Sequence, residues 1–270
     1  MKRKRCRSIH PLQNRMQLNK YLALCGIASR RKANYCIAEG RVSVNGETVV
    51  RLGMRVDPEG DIVELDGQRL TIPRKYRYVL LNKPVNTITA ASDGRGRKTV
   101  LDLIDDSLRL FPVGRLDLDT EGVLLITNDG DLTYRLTHPK YEILKIYRAW
   151  VKGRLTSNEI RKLAEGVSIE PHGVVRGEAR ILEQRTGFSV VDIRVHEGKK
   201  RQIKRMMQAI GHPVQRLIRT RFAGLTVGNL GSGEWRELTE IEIDDLYRMC
   251  GLERKNKIKE SRIKNQEKEV

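Results

Sequence analysis

The run Gly114-Arg115-Leu116-Asp117-Leu118-Asp119-Thr120-Glu121-Gly122-Val123-Leu124-Leu125-Ile126-Thr127-Asn128-Asp129-Gly130 decides how the chain is read. Two glycines bracket a turn holding three carboxylates and one arginine, and a short apolar, strand-like run follows at once. A tight acidic turn between buried segments is out of place in a basic chain, and local rules break most often at functional sites. On its own the turn also reads as a charged surface turn, with Asp117 or Asp119 bonding nearby backbone N–H groups. The rest of the chain has to choose.

The 270 residues carry a formal net charge of +18. Such a surface attracts polyanions, nucleic acid foremost, although ribosome-associated structural proteins share the feature and charge alone does not mark an enzyme. Only 5% of the residues are aromatic, which argues against a broad base-stacking platform. The longest apolar runs are far too short to span a bilayer, and no apolar signal-peptide core follows the basic N-terminus. A cytoplasmic protein without a membrane partner is expected. Cys6, Cys25, Cys36 and Cys250 form no paired C-x-x-C spacing and no histidine lies near one at ligand spacing. Free thiols and no metal site are therefore expected.

Residues 1–15 read as a basic arm. From about Gln17 a compact pattern begins: Leu18, Tyr21, Leu22 and Cys25 form a helical stripe closed by Gly26, and Ser29 caps a second helix from Arg30 to Glu39, ended by Gly40. Val42 to Val49 surrounds Asn45-Gly46, a strong type I′ hairpin signal. Turns at Asp57-Pro58-Glu59-Gly60 and Asp66-Gly67 complete a small ααβ unit. Residues 1–75 hold sixteen Lys/Arg against seven Asp/Glu, with Lys20, Arg30, Arg31, Lys32 and Arg41 around the second helix. Three basic residues just inside a helix N-terminus oppose its dipole, and phosphate is the natural group to offset that cost. This stretch resembles the S-four-type (alpha-L) RNA-binding module, on Leu18-Asn-Lys-Tyr-Leu22, Gly26-Ile-Ala-Ser-Arg-Arg-Lys32 and Gly40-Arg-Val-Ser-Val-Asn-Gly46.

From Tyr76 the pattern changes to longer alternating strands with occasional helices. Strands are expected at Tyr78–Leu81, Tyr147–Val151 and Phe188–Val195, a short helix behind Thr99, a Ser-capped helix over Ser157–Glu165, a basic helix over Lys199–Ile210, and a strand then a helix over Trp235–Cys250. With no regular βαβ rhythm, a mixed, largely antiparallel α+β sheet is expected rather than a doubly wound one. The tail from Gly251 has too little apolar content to pack. The organisation expected is thus an arm (1–15), an RNA-binding domain (16–75), a catalytic domain (76–250) and a charged tail (251–270).

Three places in the second domain carry chemistry: the Asp117 turn; Lys145-Ile146-Tyr147-Arg148, an aromatic ring between two cations; and Glu197-Gly198-Lys199-Lys200-Arg201-Gln202-Ile203-Lys204-Arg205-Met206, a glycine turn opening a cationic helix. Taken alone, Tyr147 is a half-buried core residue and the basic helix a phosphate-facing surface. Together they supply a carboxylate able to act covalently, a ring able to stack on a base, and a cation to keep the carboxylate ionised. Those are the parts needed to work on a nucleobase taken out of its stack.

With Gly211-His-Pro-Val214 added, the motifs stand in an order that resembles the bacterial rRNA pseudouridine synthases of the Rsu/RluB type, from about residue 17 to 249. The resemblance implies that Asp117 is the essential carboxylate, that Arg115 helps open the RNA, and that Tyr147 stacks on the target uracil. It also implies that Lys204 pairs with Asp117 and that Ile203 packs beneath the base, while Asp119 and Glu121 are turn residues only. No metal, cofactor or energy source is implied. The partner implied is rRNA or a ribosomal precursor particle, with large-subunit rRNA favoured over small-subunit rRNA by the wording around His138-Pro139-Lys140-Tyr141; a monomer is expected by default. Two other classes remain open at this stage: a non-catalytic RNA-binding or ribosome-assembly protein, and a metal-dependent RNA-processing enzyme using Asp117, Asp119 and Glu121.

Overall fold

A computed structural model describes residues 15–73, 75–105 and 108–254. All but Arg15 of the expected arm, and the tail from residue 255, lie outside the described residues. The chain forms two compact units that divide between Tyr76 and Arg77.

The first unit begins with β1 (Met16–Gln17), α1 (Leu18–Leu24) and α2 (Arg30–Ala38). It continues through β2 (Val42–Val44), β3 (Glu47–Val49), β4 (Arg55–Val56), β5 (Val63–Leu65) and β6 (Gln68–Arg69). Ser29 caps α2 by accepting from the Lys32 amide, and Gly26 and Gly40 take the positive φ angles that end the two helices. Asn45-Gly46 and Asp66-Gly67 both have positive φ at each residue, so two primed turns set the register of β2 with β3 and of β5 with β6. The antiparallel order is β3-β2-β5-β6, with β1 and β4 paired separately. Leu18, Leu22, Ala33, Ile37 and the inward valines of the strands form the core, against which Cys25 and Cys36 pack as expected.

The second unit opens with β7 (Tyr78–Lys83), β8 (Phe111–Pro112), β9 (Thr120–Thr127), α3 (Gly130–Thr137) and β10 (Lys145–Lys152). There follow α4 (Ser157–Glu165), the small pair β11 (Val167–Ile169) and β12 (Gly173–Val175), then β13 (Glu178–Arg185) and β14 (Phe188–Val195). The last elements are α5 (Gln202–Ala209), β15 (Val214–Phe222), β16 (Trp235–Glu237) and α6 (Glu240–Met249). The sheet order is β13-β14-β10-β15-β9-β7-β16, with β8 also on β9; β15 with β9 is parallel and the other pairs are antiparallel. This is the mixed α+β architecture expected. One core lies under β10, β14 and α5, and a second under β7 and β9; Tyr147 packs against both.

Three local expectations are corrected. The helix behind Thr99 is a single 3-10 turn, Leu101–Leu103, and its cap runs the other way: the Asp102 carboxylate accepts from the Thr99 amide at 2.7 Å. α4 is capped by Thr156, whose hydroxyl with Glu159 completes a capping box, so Ser157 is already inside the helix. α5 starts at Gln202 rather than Lys199, because Arg201 adopts a left-handed conformation (φ 55°) and the preceding basic residues form a turn.

The start of α6 carries a strong carboxylate. Glu242 accepts from both Arg236 terminal nitrogens (2.8 and 2.7 Å) and from the Thr239 amide (2.9 Å). The Arg236 guanidinium, ahead of the Thr239 amide, holds the carboxyl down at about 2. Its folded value lies below its unfolded one, so its stabilisation is complete above the ordinary glutamate range and is lost as pH falls toward 2. The melting-temperature gap between wild type and Glu242→Gln should therefore be widest at pH 6 and narrow steadily as pH falls from about 4.5 toward 2. A gap independent of pH would contradict this linkage.

Candidate active site in the second unit

A cleft of about 260 Å³ opens between the 114–120 turn, β10, and the loop that leads into α5. Arg115, Asp117, Tyr147 and Ile203 all line it, with Glu197 and Lys199 to Arg201 on the opposite wall. The structure thus brings together four residues from three separate stretches of sequence.

The turn is anchored through its main chain. The Thr120 amide closes it on the Asp117 carbonyl at 3.1 Å, and the Asn86 amide donates to the Leu118 carbonyl at 2.8 Å. Thr89 exchanges two hydrogen bonds with the main chain of Leu116. Beneath them lies Lys83, fully buried at the end of β7, whose ammonium donates to the carbonyls of Pro84 (2.9 Å), Asp117 (3.1 Å) and Thr120 (2.9 Å). Burial pushes this amine down to about 8, against the raising effect of the nearby carboxylates.

The turn leads directly into the closest approach of the sheet. Thr120 and Gly122 pair in parallel with Leu217 and Arg219 of β15. A Cβ on Gly122 would stand 2.2 Å from the Arg219 carbonyl oxygen, and its φ of 105° suits glycine, so no other residue fits without moving β15. Arg219 is itself buried, donating from Nε to the Val123 carbonyl at 2.8 Å and stacking over Phe222.

The opposite wall has a matching anchor. Lys145 is buried, donates to the carbonyls of Ile143 (2.7 Å) and His196 (3.3 Å), and is likewise pushed down to about 8 by burial. The loop above it is braced by Gln202, which donates to Glu197 at 3.0 Å and accepts from the Lys199 amide at 2.9 Å. Tyr147, two residues along β10 from Lys145, follows a register shift against β15, the kind of irregularity that re-aims a side chain.

The carboxylates of the turn sort themselves by partner. Lys204, expected on Asp117, is found on Asp119 instead, and that ammonium holds the Asp119 carboxyl below the ordinary carboxylate range. Turn closure separates the two aspartates: Asp117 faces the cleft, and Asp119 stands at the exposed outer corner, where the first turn of α5 presents Lys204. Glu121 is held by both nitrogens of the Arg216 fork at 2.9 and 3.2 Å. Asp119 and Glu121, expected to be turn residues only, are thus ion-paired, while Asp117 makes no ion pair among the described residues. Among those residues no group of three or more His, Cys, Asp or Glu is placed to hold a metal ion.

In the first unit, Arg31 and Lys32 are exposed at the start of α2 and pair with no carboxylate among the described residues. Arg30 donates to Gln17 at 2.7 Å, and Arg41 forms a forked pair with Asp66 at 3.0 and 2.6 Å. Lys20 stands part-buried on α1.

Comparison with known proteins agrees with this architecture. A family model described as RNA pseudouridylate synthase matches residues 77–209, and an S4 domain model matches residues 16–63. An uncharacterized RNA pseudouridine synthase of Aquifex aeolicus is 42% identical over 239 residues, covering 88% of this chain and 96% of that protein. The ribosomal large subunit pseudouridine synthase B of Bacillus subtilis is 42% identical over 233 residues, covering 85% and 95%. The dual-specificity RNA pseudouridine synthase RluF of Escherichia coli is 35% identical over 237 residues, covering 87% and 79%. A crystal structure of a pseudouridylate synthase superposes with a TM-score of 0.63 at 30% identity, over 86% of this chain and 99% of the other. An S4 module followed by a synthase unit, matched along nearly the whole length of these relatives, makes the chain a member of the RNA pseudouridine synthases, isomerases of the RluB/RluF type.

Proposed function

We propose that the protein converts a uridine of ribosomal RNA, in the large subunit, to pseudouridine, with Asp117 as the essential carboxylate and with no metal or cofactor. The observation that carries the reading is the sorting of charges at the turn: of its three carboxylates, Asp117 lines the cleft and makes no ion pair among the described residues. Asp119 and Glu121 are each taken by a cation, which argues against a three-carboxylate metal site. The name of the Bacillus subtilis relative supports the large subunit.

The reaction breaks the N1–C1′ bond of a flipped uridine, turns the uracil in the cleft, and joins C5 to C1′; C5 gives up its proton and N1 gains one. Flipping is needed because the reacting atoms are out of reach inside a stack. In this account the Tyr147 ring stacks on the uracil, Ile203 supports it from below, and Arg115 at the rim enters the opened RNA. Arg31 and Lys32, with Lys20, Arg30 and Arg41 around them, give the S4 module a basic face for phosphates. Lys204 supplies positive charge beside the cleft and holds the outer corner of the turn through Asp119. Lys83 is a positioning residue: it fixes the carbonyl of Asp117, and through it the carboxylate.

The test is to map pseudouridines by carbodiimide treatment and reverse transcription in rRNA from cells lacking the protein, then restore it. One site in large-subunit rRNA should disappear and return with the wild-type chain. A complete pseudouridine map in those cells would overturn the reading. Asp117→Asn should restore nothing while binding rRNA within about threefold of wild type, since it removes a group that acts in the transition state. Lys83→Met should lower turnover about 100-fold through misplacement of the turn and cost about 1–3 kcal/mol of stability from unsatisfied carbonyls. Normal turnover in that variant would contradict the anchoring role. Lys204→Met should lose most of the turnover and Asp119→Asn much less; equal losses would assign the reaction's requirement to the ion pair rather than to the ammonium, and the reverse order would contradict the role given to Lys204.

A further inference from the structure

In a chain only 5% aromatic, two tyrosines stand largely in water: Tyr35 at 68% exposure and Tyr134 at 50%. Tyr134 belongs to a cluster that the catalytic account does not use. It lies on α3, off the face that buries Leu132 and Leu136, and its ring meets His138 (5.0 Å between centroids) and Tyr141 (6.1 Å, edge-on). The Lys140 ammonium lies 4.8 Å from the Tyr141 centroid and 5.8 Å from that of Tyr134, and it pairs with no carboxylate among the described residues. Arg135 covers Tyr141 at 5.5 Å. Aromatic rings gain by leaving water, so a cluster serving packing alone would turn inward.

The cluster sits at the rim of the cleft. Thr137, at the end of α3, is within 3.6 Å of where a Cβ on Gly114 would stand, and Gly114 lines the cleft. On the other side the His196 ring hydrogen-bonds the Glu142 carbonyl at 2.7 Å, next to the lining residue Glu197. The segment from Tyr134 to Glu142 therefore bridges the two walls. A nucleotide flipped into the cleft leaves its neighbours unstacked, and an exposed ring flanked by an ammonium offers what such a neighbour lacks, a π-face and a phosphate partner.

We propose that the Tyr134–His138–Tyr141 cluster is a second RNA-contact site, where an unpaired base flanking the target uridine stacks on Tyr134 and Lys140 meets the adjoining phosphate. This rests on the reading of the cleft as one that acts on RNA. The test is filter binding of a large-subunit rRNA transcript to the full chain, with tritium release from [5-³H]uridine in the same transcript and in assembled particles measured in parallel. Tyr134→Leu keeps the bulk that covers Tyr141 and His138 but has no π-face; it should weaken binding between about 5- and 150-fold, the range for loss of one stacked base. Tyr134→Phe and Tyr134→Trp should stay within about twofold, because stacking tolerates any aromatic face. Lys140→Gln should reduce the salt slope of binding by about one. Binding by the Leu variant equal to wild type, or loss in the Phe and Trp variants as large as in Leu, would overturn the proposal. Absence of tritium release from every wild-type reaction would instead overturn the catalytic reading, and the binding series would still decide whether Tyr134 stacks on RNA.

Discussion

Two buried ammonium groups set the geometry of the cleft. Lys83 grips three main-chain carbonyls under the Asp117 turn, and Lys145 grips two under the wall that carries Glu197. Neither hydrogen-bonds a carboxylate among the described residues. Burying a charge on neutral oxygens is costly, which is why both amines are pushed down to about 8. A carbonyl partner has one advantage over a carboxylate one: it leaves the positive charge unneutralised. With the buried guanidinium of Arg219, which belongs to the strand between β9 and β10 and donates to the Val123 carbonyl, the second unit buries three cations on main-chain oxygens.

This arrangement depends on the parallel contact of β9 with β15. Gly122 lets the two strands meet where any side chain would collide with the Arg219 carbonyl. The same contact brings Glu121 beside Arg216 and places the Asp117 turn against the strand that borders Tyr147. Sheet topology and charge sorting are thus one constraint: the strand that follows the turn disposes of Glu121, the helix after the basic loop disposes of Asp119, and Asp117 is left facing the cleft with no ion pair among the described residues.

Much of this was legible in the sequence. Helix stripes, the glycines that end α1 and α2, and both Asx-Gly turns act locally, so residues a few positions apart were enough to place them. The gathering of Arg115, Asp117, Tyr147 and Ile203 was expected from a resemblance in motif order, not from the residues alone. The partner of Lys204 was misjudged because Asp117 and Asp119 are two residues apart, and only the closed turn shows which carboxylate faces outward. Lys83 falls just past the strand expected over Tyr78–Leu81, and Lys145 was read only as one of two cations flanking Tyr147, so the burial of neither was expected, yet a signal was present. Lys83 shares the inward phase of β7 with Val79 and Leu81, and Lys145 that of β10 with Ala149 and Val151. A lysine on the buried phase of an alternating strand is the pattern to look for.

The central claim is that Asp117, which makes no ion pair among the described residues, exchanges the glycosidic bond in a cleft needing no added ion. The most direct measurement is single-turnover tritium release from [5-³H]uridine-labelled large-subunit rRNA in excess EDTA, as transcript and as particle, with saturating protein. The account predicts one equivalent of tritium released per target uridine by the wild-type chain and none by Asp117→Asn. Release by the Asp117→Asn chain, or release that stops on adding EDTA, would contradict it.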